Sequence, residues 1–95
     1  MDLAKDKFQE RWWRRGFTCN DQRDPHGKKW AVHRHQVDEI VVLLEGQITV
    51  KVGQGSRRLL IGEELVVPRL VTHSIWNTGP HQAHYLYGFR HKHPH

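Results

Sequence analysis

From Gly16 onward the chain is cut into short β-rich runs separated by glycine-containing turns. The runs cover residues 30–35, 39–44, 47–52, 57–61, 65–67, 73–77 and 84–89, and Phe17-Thr18-Cys19 reads as a further short strand. Between them lie Glu45-Gly46, Gly53-Gln54-Gly55, Gly62-Glu63 and Gly79-Pro80, the residue types that turns select. Residues 20–27, with Asp24-Pro25 and Gly27, read as a loop. Short strands roughly 8 to 12 residues apart predict an all-β sandwich or barrel. Only residues 3–15 break this pattern: their Leu, Ala, Lys, Gln, Glu and Arg favour a helix, with Asp2 as N-cap and Gly16 as stop. Its expected packing face is Leu3, Phe8 and Trp12. The division expected is a helical segment at 1–15, a β domain at 16–90 and a histidine-rich tail at 91–95.

A chain of 95 residues supports one domain. It has no apolar run near the roughly 20 residues of a membrane span. Its first ten residues lack a secretory signal's apolar stretch, so a cytoplasmic location is expected. One cysteine, Cys19, excludes an internal disulfide framework and a cysteine-based zinc finger. A buried, inert thiol is the favoured reading of it. The net charge of +5 invites an anionic partner. The surplus, however, sits in the first third, around Arg11, Arg14, Arg15, Lys28 and Lys29. Trp12 and Trp13 interleave with these arginines as a base-stacking surface would. No nucleic-acid-binding motif follows them, so a solvated amphipathic helix is the preferred reading and nucleic acid is not an expected partner.

Nine of the 95 residues are histidine. In His33-Arg34-His35 the strand alternation puts both histidines on one face, roughly 6.6 Å apart, within reach of one ion. Glu39 shares their parity, but a straight strand would carry it about 13 Å from His35. The chain is therefore expected to turn at Gln36-Val37-Asp38 and to start a new strand near Glu39. His73, which opens another run past residues 68–72, is a fourth candidate. Three imidazoles and a carboxylate suit iron, manganese, nickel, copper or zinc.

The segment Gly27-x5-His33-x-His35-x3-Glu39-x6-Gly46 resembles the first motif of the cupin superfamily at all five fixed positions. The segment Gly62-x5-Pro68-x-Leu70-x2-His73-x3-Asn77 resembles the second motif and departs from it only at Leu70, where the family usually has glycine. Asp38-Glu39-Ile40 and Tyr85-Leu86-Tyr87-Gly88 are similar to small single-domain, RmlC-like cupins of unassigned function. The resemblance implies a double-stranded β-helix, a jelly-roll barrel, with a short N-terminal helix ahead of it. It implies His33, His35, Glu39 and His73 as ligands of a divalent transition metal, a small-molecule ligand or substrate, and a homodimer. A leucine at the glycine position implies strain, or else a turn of different geometry that could shift His73.

The remaining residues have plainer readings. Arg69 is expected at the rim. Trp30, Tyr85 and Tyr87 could line a pocket, and Trp76, of opposite parity to His73, is expected to face outward. Asn77 is expected to make a structural hydrogen bond, and Glu63 and Glu64 to be solvated. His26, His81 and His84 match no ligand spacing, and the tail histidines could hold metal adventitiously. No general base stands out beside the ligands. The expected function is metal binding, with dioxygenation or isomerisation of a small oxygen-rich molecule as the chemistry if the chain is an enzyme. Non-catalytic ligand binding or sensing is the alternative, and a purely structural dimer with an empty barrel is the third.

Overall fold

The computed structural model describes residues 3–91. The Asp2 cap, the Leu3 side chain, His93 and His95 lie outside the described residues and side chains. Helix α1 (Leu3–Arg14) leads into seven strands: β1 (Asn20–Asp24), β2 (Glu39–Glu45), β3 (Thr49–Val52), β4 (Gly55–Arg58), β5 (Glu64–Val67), β6 (His73–Trp76) and β7 (Ala83–Phe89). They form a four-stranded antiparallel sheet, β1-β7-β2-β5, and a three-stranded antiparallel sheet, β4-β3-β6. This arrangement of two sheets is that of a jelly roll.

Strand β2 shows how alternation positions the site. Val41 and Leu43 face the second sheet, in a buried core with Ile48, Val50, Leu59, Ile75 and Tyr85. Ile40 and Val42 face the other way, where Trp12, Phe17 and Leu86 cover them. Strand β2 is therefore apolar on both faces, the pattern of a strand covered on each side. Trp12 is completely buried. Its indole Nε1 donates to Glu64 Oε1 at 3.0 Å, tying the helix to β5.

Three expectations need correction. Residues 20–24 form strand β1 rather than a loop, because β7 offers a partner over its whole length, from Asn20 opposite Tyr87 to Asp24 opposite Ala83. Phe17-Thr18-Cys19 makes only a single bridge, Phe17 to Arg90, as it crosses the end of β7. That crossing is close: a Cβ at Gly88 would collide with the Thr18 carbonyl. Residues 30–35 run extended but make only isolated contacts with β6 and its flanks rather than a continuous ladder. The expected solvation of Glu63 and Glu64 also fails. Glu64 accepts from Trp12 and from Arg15 at 2.7 Å, while Glu63 pairs with Arg57 and caps the Leu60 amide at 3.0 Å.

Candidate metal centre and binding pocket

His33 and His73 exchange both backbone hydrogen bonds, at 2.8 and 2.9 Å. Such a pair points its side chains to the same face. His35, two residues on, shares that face, and the rings of His33 and His35 lie nearly parallel with centroids 5.8 Å apart. The chain then bends at Gln36 and Val37, and β2 opens at Glu39. The turn inferred from the 13 Å argument is therefore present. Asp38 fixes it in place. Its carboxylate accepts the Arg69 amide at 2.8 Å and Arg90 Nε at 2.9 Å, and its carbonyl accepts the Arg90 amide. The Arg69 amide and the Arg90 guanidinium hold the Asp38 carboxyl below its ordinary value.

The result brings His35, Glu39 and His73 together, with one donor atom from each lying within 4.8 Å of the others. Glu39 Oε1 is 2.8 Å from His73 Nε2 and 3.4 Å from His35 Nε2. Glu39 and His73 are buried, at 4% and 5% exposure. The hydrogen bond to Glu39 raises the His73 imidazole above its ordinary value, against the opposing effect of burial. His73 Nδ1 faces the Val71 carbonyl at 3.2 Å, the contact that orients a ligating imidazole and leaves Nε2 for an ion. His33 lines the same pocket but stands outside this three-residue cluster.

Leu70 keeps the left-handed backbone that the motif glycine would supply, at φ +66°. Its amide donates to the His35 carbonyl at 2.8 Å, clamping the turn to the first histidine segment. His73 nevertheless reaches the cluster, with its Nε2 2.8 Å from Glu39 Oε1.

The cluster opens on a cavity of about 150 Å³. Trp30, Tyr85 and Tyr87 line it, as do Phe89, Gln22 and Ile75. Trp76 faces outward at 44% exposure, with Lys29 Nζ 5.1 Å from its ring centre. Arg69 is exposed and does not line the cavity. Asn77 is buried, with Nδ2 within 3.1 Å of the carbonyls of Asp24, Pro25 and His81. His26 contacts the Gly79 carbonyl, and His84 pairs with Asp21 at 2.6 Å, so both serve the scaffold. Cys19 is half-buried, and burial pushes its thiol up, away from reactivity.

The sequence reading missed two residues. Asp24 lies buried behind the pocket wall, and Gln22 stands on that wall. Both fall in the stretch read as a loop, and only a strand assignment for β1 would have exposed their common face.

A family model described as "Cupin domain" matches residues 22–89. The chain belongs to the cupin family. Similar solved structures share its fold. The cupin domain of Cnp3 from Schizosaccharomyces pombe superposes with TM-score 0.73 at 23% identity, over 81% of this cupin and 54% of that chain. A predicted oxalate decarboxylase from Thermotoga maritima gives 0.73 at 19% identity, over 87% and 74%. An oxalate oxidase in complex with the substrate analogue glycolate gives 0.72 at 25% identity, over 84% and 44%. This cupin thus spans about half the length of the first and third. Among curated proteins none matches it. No described helix is long and apolar enough to cross a membrane.

Proposed function

We propose that this cupin is a jelly-roll barrel that binds a divalent transition metal through His35, Glu39 and His73, with His33 as a fourth ligand, and uses it to hold a small molecule. The observation that carries the reading is the shared Glu39 oxygen, faced by two imidazole nitrogens at the base of a cavity. Two imidazoles and one carboxylate fit the donor set of non-haem iron, manganese, nickel, copper or zinc. A bound ion would supply Lewis-acid or redox chemistry to a substrate oxygen. The chain's own part is to orient His73 through Val71, to hold Glu39 and His73 out of bulk water, and to exclude water with the aromatic wall. Oxygenation or isomerisation is the activity proposed. Ligand binding without turnover in the same aromatic-lined pocket is the second reading. A cytoplasmic homodimer, with the exposed Trp76 face in its contact, completes the proposal.

Metal analysis of protein truncated at residue 90 tests the centre without the tail histidines. One ion per chain is expected, lost in His35→Ala/His73→Ala and bound more weakly in His33→Ala. Near-zero metal in the truncated protein, purified without chelator, would overturn the reading. Oxygen uptake by the iron-loaded protein, across diols, thiols and sugars, separates the enzyme from the binding module.

A further inference from the structure

We infer that the pocket is shaped for an uncharged, planar six-membered-ring compound lying against the aromatic wall of β7. This rests on the small-molecule binding proposed above and names the class of ligand.

The inference starts from a buried carboxylate. Gln22 stands directly opposite Tyr85 in the β1–β7 ladder, so the two share a face, and Asp24, two residues on from Gln22, shares it too. Asp24 is 1% exposed. Its carboxylate accepts from the Gln22 amide at 2.7 Å, Trp30 Nε1 at 2.8 Å and the Tyr85 hydroxyl at 2.7 Å. Burial, reinforced by the Asp24 carboxylate, pushes the Tyr85 phenol up, so it remains a donor. Trp has no other polar atom. The donors of three wall residues are thus drawn to a carboxylate behind the wall, and Trp30 and Tyr85 offer the pocket mainly carbon and π surface.

Strand alternation extends that surface. Tyr85, Tyr87 and Phe89 project to one side of β7, with successive ring centres 6.5 and 5.9 Å apart. Phe89 then meets His35 edge-on at 4.9 Å. A run of rings therefore leads straight to the histidine–carboxylate cluster. Flat rings pair best with such a surface in offset or edge-on contact.

Charge and size narrow the class further. Among the described residues no lysine or arginine lines the cavity. The faces of aromatic rings are electronegative, and the Asp24 carboxylate lies behind them. An anionic group directed at this wall would meet no compensating charge. The cavity of about 150 Å³ equals in size one engineered in another protein that holds a single benzene. It is well below the roughly 300 Å³ at which drug-sized ligand sites begin.

Benzamide, benzoate and acetamide make a direct test, titrated by ligand-observed NMR into the full chain, both chelator-treated and zinc-loaded. Benzamide should bind at least about tenfold tighter than acetamide in both forms, reflecting ring contact. In the chelator-treated protein it should also bind tighter than benzoate. Tyr87→Ala, with unchanged circular dichroism, should lose at least about fivefold in benzamide affinity while acetamide is unaffected. Acetamide binding as tightly as benzamide, benzoate matching benzamide in the chelator-treated protein, or an unaltered Tyr87→Ala would overturn the inference. Metal content measured on the same samples reports separately on the metal centre, so a chain that holds no ion but selects benzamide refutes only the latter.

Discussion

Leu70 holds a backbone conformation that suits glycine, φ +66°, and still delivers His73 to Glu39. A non-glycine residue there costs about 1–2 kcal/mol. The turn is held by contacts on both sides: the Leu70 amide on the His35 carbonyl, and the Arg69 amide on Asp38. Leu70 itself is 46% exposed, so its side chain contributes little burial. Leu70→Gly removes the strain but adds freedom to the unfolded chain, which offsets up to about 1 kcal/mol. The net expectation is a gain of up to about 1 kcal/mol, a rise in Tm of a few degrees for a domain of this size. Metal affinity should not change, because the turn is already in place. A lower Tm in a thermal melt would show instead that the leucine side chain stabilises the turn.

At the scale of elements, the helix and β5 are joined by Glu64. Burial raises its carboxyl, but hydrogen bonds from Arg15 and Trp12 outweigh that, and the net effect holds it below its ordinary value. A folded value lower than the unfolded one stabilises the protein above the usual carboxylate range, about pH 4.3. That stabilisation fades as pH falls through the folded value. Glu64→Gln should therefore lower Tm near pH 7, and the gap from wild type should close between roughly pH 5 and pH 3. A gap independent of pH would mean that the side chain acts by packing alone. The elements also show what could be read from the chain. Strands β2, β3, β5, β6 and β7 were legible as β-rich runs between glycine-containing turns, and helix α1 was legible from its helix-favouring composition. Strand β1, Asn-Asp-Gln-Arg-Asp, carries no such signal. It exists because β7 pairs with it along its full length, a tertiary cause that composition does not record. Of the site, alternation put His33 and His35 on one face, the motif resemblance supplied Glu39 and His73 as ligands, and the bend at 36–38 follows once Glu39 is required to approach His35. The structure brings His35, Glu39 and His73 within 4.8 Å of one another and leaves His33 outside that cluster. Asp24 and Gln22 were hidden by the same weak signal that hid β1.

Across the whole molecule, several of the basic residues behind the surplus make contacts within the protein itself. Arg14 pairs with Glu10 at 2.6 Å, and Arg15 pairs with Glu64 at 2.7 Å. Arg90 binds Asp38 and lies 4.4 Å from the centre of the Phe17 ring. Lys28 sits over Trp30 at 4.7 Å and Lys29 over Trp76 at 5.1 Å. Trp12, one of the two helix tryptophans that suggested base stacking, is buried under the sheet, while Trp13 stays 61% exposed with the His91 ring stacked on one face at 4.1 Å. A nucleic-acid surface needs free cations aligned with accessible rings, so that phosphate contacts release counterions. Around the helix, Arg14 and Arg15 are paired with carboxylates and Trp12 is withdrawn into the core, which leaves Trp13 as the helix tryptophan open to a partner. No binding to random-sequence duplex DNA is therefore expected at about 20 mM salt, measured by fluorescence anisotropy at micromolar protein. Binding that is strong at low salt and falls steeply as salt rises would show that the paired arginines exchange their carboxylates for phosphate, and that the charge serves a partner after all.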